Sequence, residues 1–228
     1  MTHLPVYIAV TFILTTIITV FIFYKATRKS TITIVVLLIL LVVQSLIGLS
    51  GFYTTTDTVP PRFLLLIGPP LFLIIILFLT NWGKAYLDSL DLKTLTILHI
   101  IRVPVEIVLL WLFIHKAIPE LMTFEGRNFD ILSGLTSPLI YYFGFVRKNL
   151  SNAAILAWNF ICLGLLINIV ANAILSVPTT FQKFAFDQPN VGILYFPFNL
   201  LPACVVPLVL LSHLAAIRQL LDKIKNRR

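Results

Sequence analysis

Long uninterrupted apolar runs alternate along the chain with short clusters of charged and turn-forming residues. Seven runs stand out, at positions 4–24, 31–52, 63–80, 95–117, 131–146, 153–177 and 192–216. A helix needs roughly 20 apolar residues to cross the hydrocarbon core of a bilayer, and most of the runs reach that length. They are continuous and lack the two-residue alternation of barrel strands, so the spacing predicts helices. The fifth run is short. It would cross only as a tilted or partly re-entrant piece, unless Phe129 and Asp130 extend it.

Composition sharpens this picture. Of 228 residues, 59% are hydrophobic and 11% charged, and the mean hydropathy is +1.00. Soluble domains carry about 25% charged residues, so this chain lacks the polar side chains to cover a fold in water. A soluble globule and a disordered chain are both excluded. With two cysteines, Cys162 and Cys204, so is a disulfide framework or a cysteine-rich metal site. The first run is read as a retained helix, because Lys25, Arg28 and Lys29 follow it, whereas a cleaved signal carries its positive charge in front.

Charge sets the expected orientation. Lys25, Arg28, Lys29, Lys84, Lys93, Arg147, Lys148 and five basic residues from Arg218 onward fall on one side, twelve in all, against Arg62, Lys116, Arg127 and Lys183 on the other. By the positive-inside rule the N-terminus is outside and the C-terminus cytoplasmic. The net charge of +8 then follows from topology, and nucleic acid is not an expected partner. The expected fold is an all-α integral membrane protein, a bundle of about seven transmembrane helices. Residues 1–217 form one transmembrane domain and 218–228 a basic cytoplasmic tail. The expected location is a membrane crossed many times, the inner membrane in a bacterium, with lipid as a partner and self-association open. From His213 on, Leu214, Ile217, Leu221 and Ile224 share a helical face, which suits a segment lying along anionic headgroups or a frayed helix end.

The fourth run holds His99, Arg102 and Glu106, which at about 100° per residue fall within an arc of about 60°. Charge at membrane depth costs at least ~2.5–3.5 kcal/mol, so these side chains should face the interior and pair. Pro104 between them frees the carbonyl of Ile100. The cluster reads either as a ligand, ion or proton site, or as an Arg102–Glu106 ion pair locking two helices. Gln44, Asn159, Asn168, Asn172 and Asn199 are further candidate ligand-binding groups, although amides also glue membrane helices together. His213 and His99, both near the cytoplasmic ends of their helices, could approach each other, with interfacial hydrogen-bonded histidines as the default reading. His3 and His115 are remote, and the four histidines lack the close spacing of a zinc or haem site, so neither a metal nor a cofactor is indicated. The stretch Glu120, Glu125, Gly126, Arg127, Asn128, Asp130 reads either as a place where three carboxylates gather a cation or polar ligand or, the favoured reading, as a solvated outer loop with Asp130 well placed at a helix start.

Prolines interrupt the third, fifth and seventh runs, a pattern that suits helices lining a cavity. No run holds a lysine at membrane depth for a retinal Schiff base, and phosphate-loop, nucleophile-elbow and HExxH motifs are absent. The leading expectation is transport or binding of a small polar or ionic solute within the bundle, centred on Arg102 and Glu106. The alternatives are a membrane-embedded enzyme acting on a lipid or isoprenoid through His99, Glu106 and His213, and a structural or sensory subunit.

Overall fold

The computed structural model describes residues 4–226. His3, Arg227 and Arg228, assigned above to the chain ends, lie outside that range. Every regular element among the described residues is helical. Helix α1 is Val6–Ala26 and α2 is Thr31–Leu49; α3, Leu64–Leu79, turns sharply into α4, Asn81–Ser89. Helices α5, Leu92–Leu98, and α6, Arg102–Ile114, are joined by one tight turn of 3-10 helix at His99–Ile101 into a single rod. Helix α7 is Ile131–Tyr141 with a π-helical last turn, α8 is Asn152–Leu175, and α9, Val206–Lys225, begins with the π turn Leu201–Val205.

All seven apolar runs are helical, but they are not equivalent. Five helical stretches are long and apolar enough to cross a membrane, Val6–Ala26, Thr31–Leu49, Leu92–Ile114, Asn152–Leu175 and Leu201–Lys225; α3 with α4 makes a sixth if the bent pair counts as one, and Ile131–Val146 is shorter. The α3–α4 bend is 97°. Thr80 leaves helical geometry there and its hydroxyl accepts from the Gly83 amide. A side chain at Gly83 would run into the Leu77 backbone, so glycine is what lets the two helices meet this closely. Helix α4 was not anticipated as an element of its own, because its apolar positions are few. It buries Gly83 and Leu87 and leaves Trp82 exposed, stacked on Tyr86. Burial pushes the Tyr86 phenol above its usual pKa, opposed by its hydrogen bond with Thr33.

Local chemistry explains the other boundaries. Arg28 and Lys29 take left-handed backbone angles that end α1, and the Ser30 hydroxyl then caps α2 by accepting from the Thr33 amide. Inside α1, Thr15, Thr16 and Thr19 face the interior and satisfy their hydroxyls on carbonyls four residues back, at 2.7–3.0 Å, so they need no other partner. Pro69 has no amide to offer Leu65, and the side chain of Gln44 donates to that Leu65 carbonyl instead, at 3.3 Å.

Helix α9 is the hub. Most of it is buried, and it packs on α8, α5, α3 and α4. It also corrects the expected tail boundary: residue 218 is mid-helix, Ile217 and Leu220 are buried, and Gln219 donates to the carbonyls of Leu87 and Leu90 at 2.8 and 2.9 Å. The region from His213 to Lys225 is therefore a continuation of α9. The outer faces of α1, α2 and α3 expose Ile17, Phe21, Ile39, Leu46, Phe72 and Ile75, an apolar perimeter far beyond what a water-exposed monomer carries.

Candidate binding site

Three helical segments and one loop deliver polar side chains to the interior. The α5–α6 rod carries His99, Arg102 and Glu106; the loop before α7 brings Asn128 and Asp130; α8 supplies Trp158 and Asn159, and α9 supplies His213. Arg102 forks between two partners. One guanidinium nitrogen forms an ion pair with the Asp130 carboxylate, and the other lies 3.1 Å from Nε2 of His213. A guanidinium can only donate, so His213 Nε2 accepts and its proton sits on Nδ1, which donates to the Asn159 side-chain carbonyl at 2.9 Å. Asn159 in turn donates to the Ile155 carbonyl at 2.9 Å, which fixes the orientation of its amide.

On the other side of Arg102, the Asn128 side-chain oxygen accepts from the Asp130 amide at 3.0 Å, while its Nδ2 donates to Glu106 Oε1 at 2.6 Å and to the Met122 carbonyl at 3.0 Å. One hydrogen-bonded chain therefore runs Asn159, His213, Arg102, Asp130, Asn128, Glu106. It ends on a free atom. Glu106 is 2% exposed, and its Oε2 makes no hydrogen bond to any described residue.

Two sequence expectations are corrected here. Arg102 and Glu106 do not form the ion pair expected of a helix lock; Asp130 takes the cation. Asp130 in turn is no solvated helix cap, since it is buried and makes no capping hydrogen bond. The cause is the close approach of α7 to α6: a Cβ at Gly134 would lie 2.8 Å from Val103 Cγ2 and 3.0 Å from the Val103 amide nitrogen, so only glycine lets Asp130 reach Arg102. His99 and His213 do meet, with ring centroids 3.8 Å apart and planes 14° from parallel, and Trp158 stands against both. Face-to-face stacking aims their ring nitrogens alongside one another rather than at a shared ion. Among the described residues no group of three or more His, Cys, Asp or Glu could hold a metal.

The remaining candidates fall into two separate knots. Asn199 donates to the Gln44 carbonyl at 2.8 Å, and Tyr53 donates to Gln44 Oε1 at 2.6 Å, binding α2 to the start of α9. Asn168 donates to the Arg127 carbonyl at 2.9 Å and accepts from Asn172 at 3.3 Å, tying α8 to the loop before α7. Asn128 was legible only as part of a polar loop. Its signal lay in the triplet Asn128-Phe129-Asp130, whose polar members are buried around an exposed phenylalanine, the reverse of a surface loop in water.

Beside Glu106 lies a cavity of about 330 Å³ between α3, α6, α8 and α9. Its wall includes Phe63, Leu66, Leu109, Leu166, Ile174 and Leu210, and its polar lining residues are Glu106, Asn128 and Asp130. His99, His213, Gln44, Asn168, Asn172 and Asn199 do not line it. Leu71 of α3 and Ile167 of α8 do, and they are 37% and 57% exposed, so the cavity opens sideways between these helices, which pack on α9 rather than on each other. A second cavity, of about 380 Å³, lies between α1, α2, α3, α4 and α9 and has no charged side chain in its wall.

The family model described as a domain of unknown function, DUF8737, matches residues 59–221, more than half of the chain. The chain belongs to this family. No curated protein and no solved structure matches it. The DUF8737 segment contains the whole hydrogen-bonded chain from Asn159 to Glu106 and every residue lining the first cavity, and it leaves out Gln44 and Tyr53.

His99 makes no hydrogen bond at either ring nitrogen, although it is 1% exposed. Unsatisfied buried polar atoms are destabilising by about 1–3 kcal/mol, so His99→Phe, which keeps a ring stacked on His213, should raise the melting temperature in detergent. A lowered one would show that His99 has a partner in the working protein.

Proposed function

We propose that this DUF8737 chain is a multi-pass membrane protein, with its N-terminus outside and its C-terminus cytoplasmic, that binds a small molecule inside the helix bundle at the Glu106 end of the first cavity. The single observation that carries the reading is the make-up of the cavity: apolar walls, one polar end, and a sideways opening onto the apolar perimeter. A small, wholly polar solute would leave those walls without contacts. The solute that fits has a polar or ionic head and an apolar body and enters from lipid. A lipid-modifying enzyme built on His99, Glu106 and His213 is the weaker reading, because neither histidine reaches the cavity.

Seven crossings are part of the proposal, with α4 lying flat at the cytoplasmic interface and α5–α6 counted as one. Contacts between segments assigned to the same side support it: Arg218 bridges Asp88 at 2.8 Å, the Asp91 amide donates to the Ala26 carbonyl, and the Gly192 amide donates to the Ala117 carbonyl. Cysteines placed at Ser30 and Phe124 should label from the cytoplasmic and external faces respectively. Labelling of both from one face ends the seven-crossing arrangement.

Ligand binding is tested with a neutral medium-chain alcohol such as decanol. Purified protein in nonionic detergent should gain melting temperature with decanol, and Ala173→Phe, which fills the cavity from α8, should remove the gain. An equal gain in both proteins would mean that the alcohol acts through the micelle and that the cavity is no site.

A further inference from the structure

The charges at the polar end of the cavity select among amphiphiles. The wall carries two carboxylates, Glu106 and Asp130, and no lysine, arginine or histidine. Arg102, the cation nearest to them, lies behind the wall and spends its charge on Asp130. Glu106 has no cationic partner: Oε1 is occupied by the neutral amide of Asn128, at a separation of 2.6 Å, and Oε2 is buried and free. Burying an uncompensated carboxylate is expensive, so Glu106 is relieved either by taking up a proton or by a cation that enters the cavity and displaces that proton.

We propose that the site binds a primary or secondary amine cation carrying an apolar tail, with the ammonium group donating to Glu106 Oε2 and the tail lying between α3, α8 and α9. An ammonium has hydrogens for the free oxygen and a charge for Glu106. A carboxylate or phosphate head would face two carboxylates and no cation, and is repelled. An alcohol can donate one hydrogen bond but leaves the charge uncompensated. The tail needs a slot without polar atoms, and the wall from Leu66 to Leu210 provides one. The second cavity, with no charged side chain, has no such preference built into it.

This inference rests on the cavity being a binding site, and the experiment separates the two. Decylamine, decanol and decanoate share one tail and differ only in the head. Their affinities are measured by titration calorimetry at pH 7 in nonionic detergent, with Ala173→Phe as the blank for uptake into micelles. The expected order is amine, then alcohol, then acid, with the amine binding on the order of tenfold or more tighter than the alcohol, the range seen for close charge pairs. In Glu106→Gln the amine advantage should vanish while decanol still binds. Decanol binding as tightly as decylamine in the wild-type protein, decanoate binding best, or an amine preference that survives Glu106→Gln overturns the amine assignment and leaves the cavity standing. No binding of any of the three above the blank overturns both. The wild-type series decides the matter even if the variant does not fold.

Discussion

Arg102→Gln should destabilise the protein by about 3–5 kcal/mol, since it strands the Asp130 carboxylate in the interior without its cation. Asp130→Asn should be similarly harmful, because Arg102 is buried and would keep only His213 as a partner. Together the two changes should be far milder than either, with neutral amides able to hydrogen-bond one another. The control is Arg102→Gln with Glu106→Gln, which removes as many charges but leaves Asp130 stranded, and it should show no rescue. Thermal melts in detergent, followed by fluorescence of Trp158 and its neighbours, read all four. Rescue by the Glu106 change instead of the Asp130 change would mean that the helix lock is the one expected from the sequence, and that the ion pair described above is not the working arrangement.

Gly126→Ala should be the more damaging of two superficially equal glycine changes. The loop before α7 doubles back on itself: the Gly126 and Asn128 amides both donate to the Thr123 carbonyl, at 3.0 and 3.1 Å, and the Thr123 hydroxyl donates to the Glu120 carbonyl at 2.9 Å. A Cβ at position 126 would collide with the Glu120 carbonyl and with Leu121 Cα, which are backbone and cannot swing aside. The expected loss is about 1–3 kcal/mol, as for other overpacked sites, together with a drop in ligand affinity, because the loop that shifts is the one holding Asn128 and Asp130 at the cavity. Gly164→Ala in α8 has open space around the new methyl group and should be neutral, or stabilising by about 0.5–1 kcal/mol, through helix propensity. Equal effects of the two substitutions, in melting temperature or in decanol affinity, would show that the loop does not position the site.

These expectations also mark where the sequence could be read. Helices of this length are legible because hydrophobicity alone demands them, and the inward face of the fourth run was legible because His99, Arg102 and Glu106 share one side of a helix. Partner choice was not. Arg102 and Glu106 are one turn apart on the same helix, a spacing that suggests pairing. What overrules it is the approach of α7 at Gly134, a contact between positions about thirty residues apart that no local pattern encodes. Asn128 was hidden for a related reason: a loop rich in charge looks solvated, and only the fold reveals that it tucks inward. Helix α4 escaped because its periodic apolar signal is short, and the bend that creates it depends on Gly83 lying against the backbone of the preceding helix.

The central position of α9 bears on how the molecule is made. Chains are synthesised from the N-terminus, so α3, α5 and α8 leave the ribosome well before the helix on which they converge. Until residues 201–225 arrive, α8 lacks its principal neighbour, α3 and α5 lack one of theirs, and His213 is missing from the end of the Arg102 fork. The early helices can form one at a time, but their packing is completed only when the last helix joins them. Pairs such as α1 with α5 and α3 with α4 can meet early, while the last stage of assembly waits for the final segment.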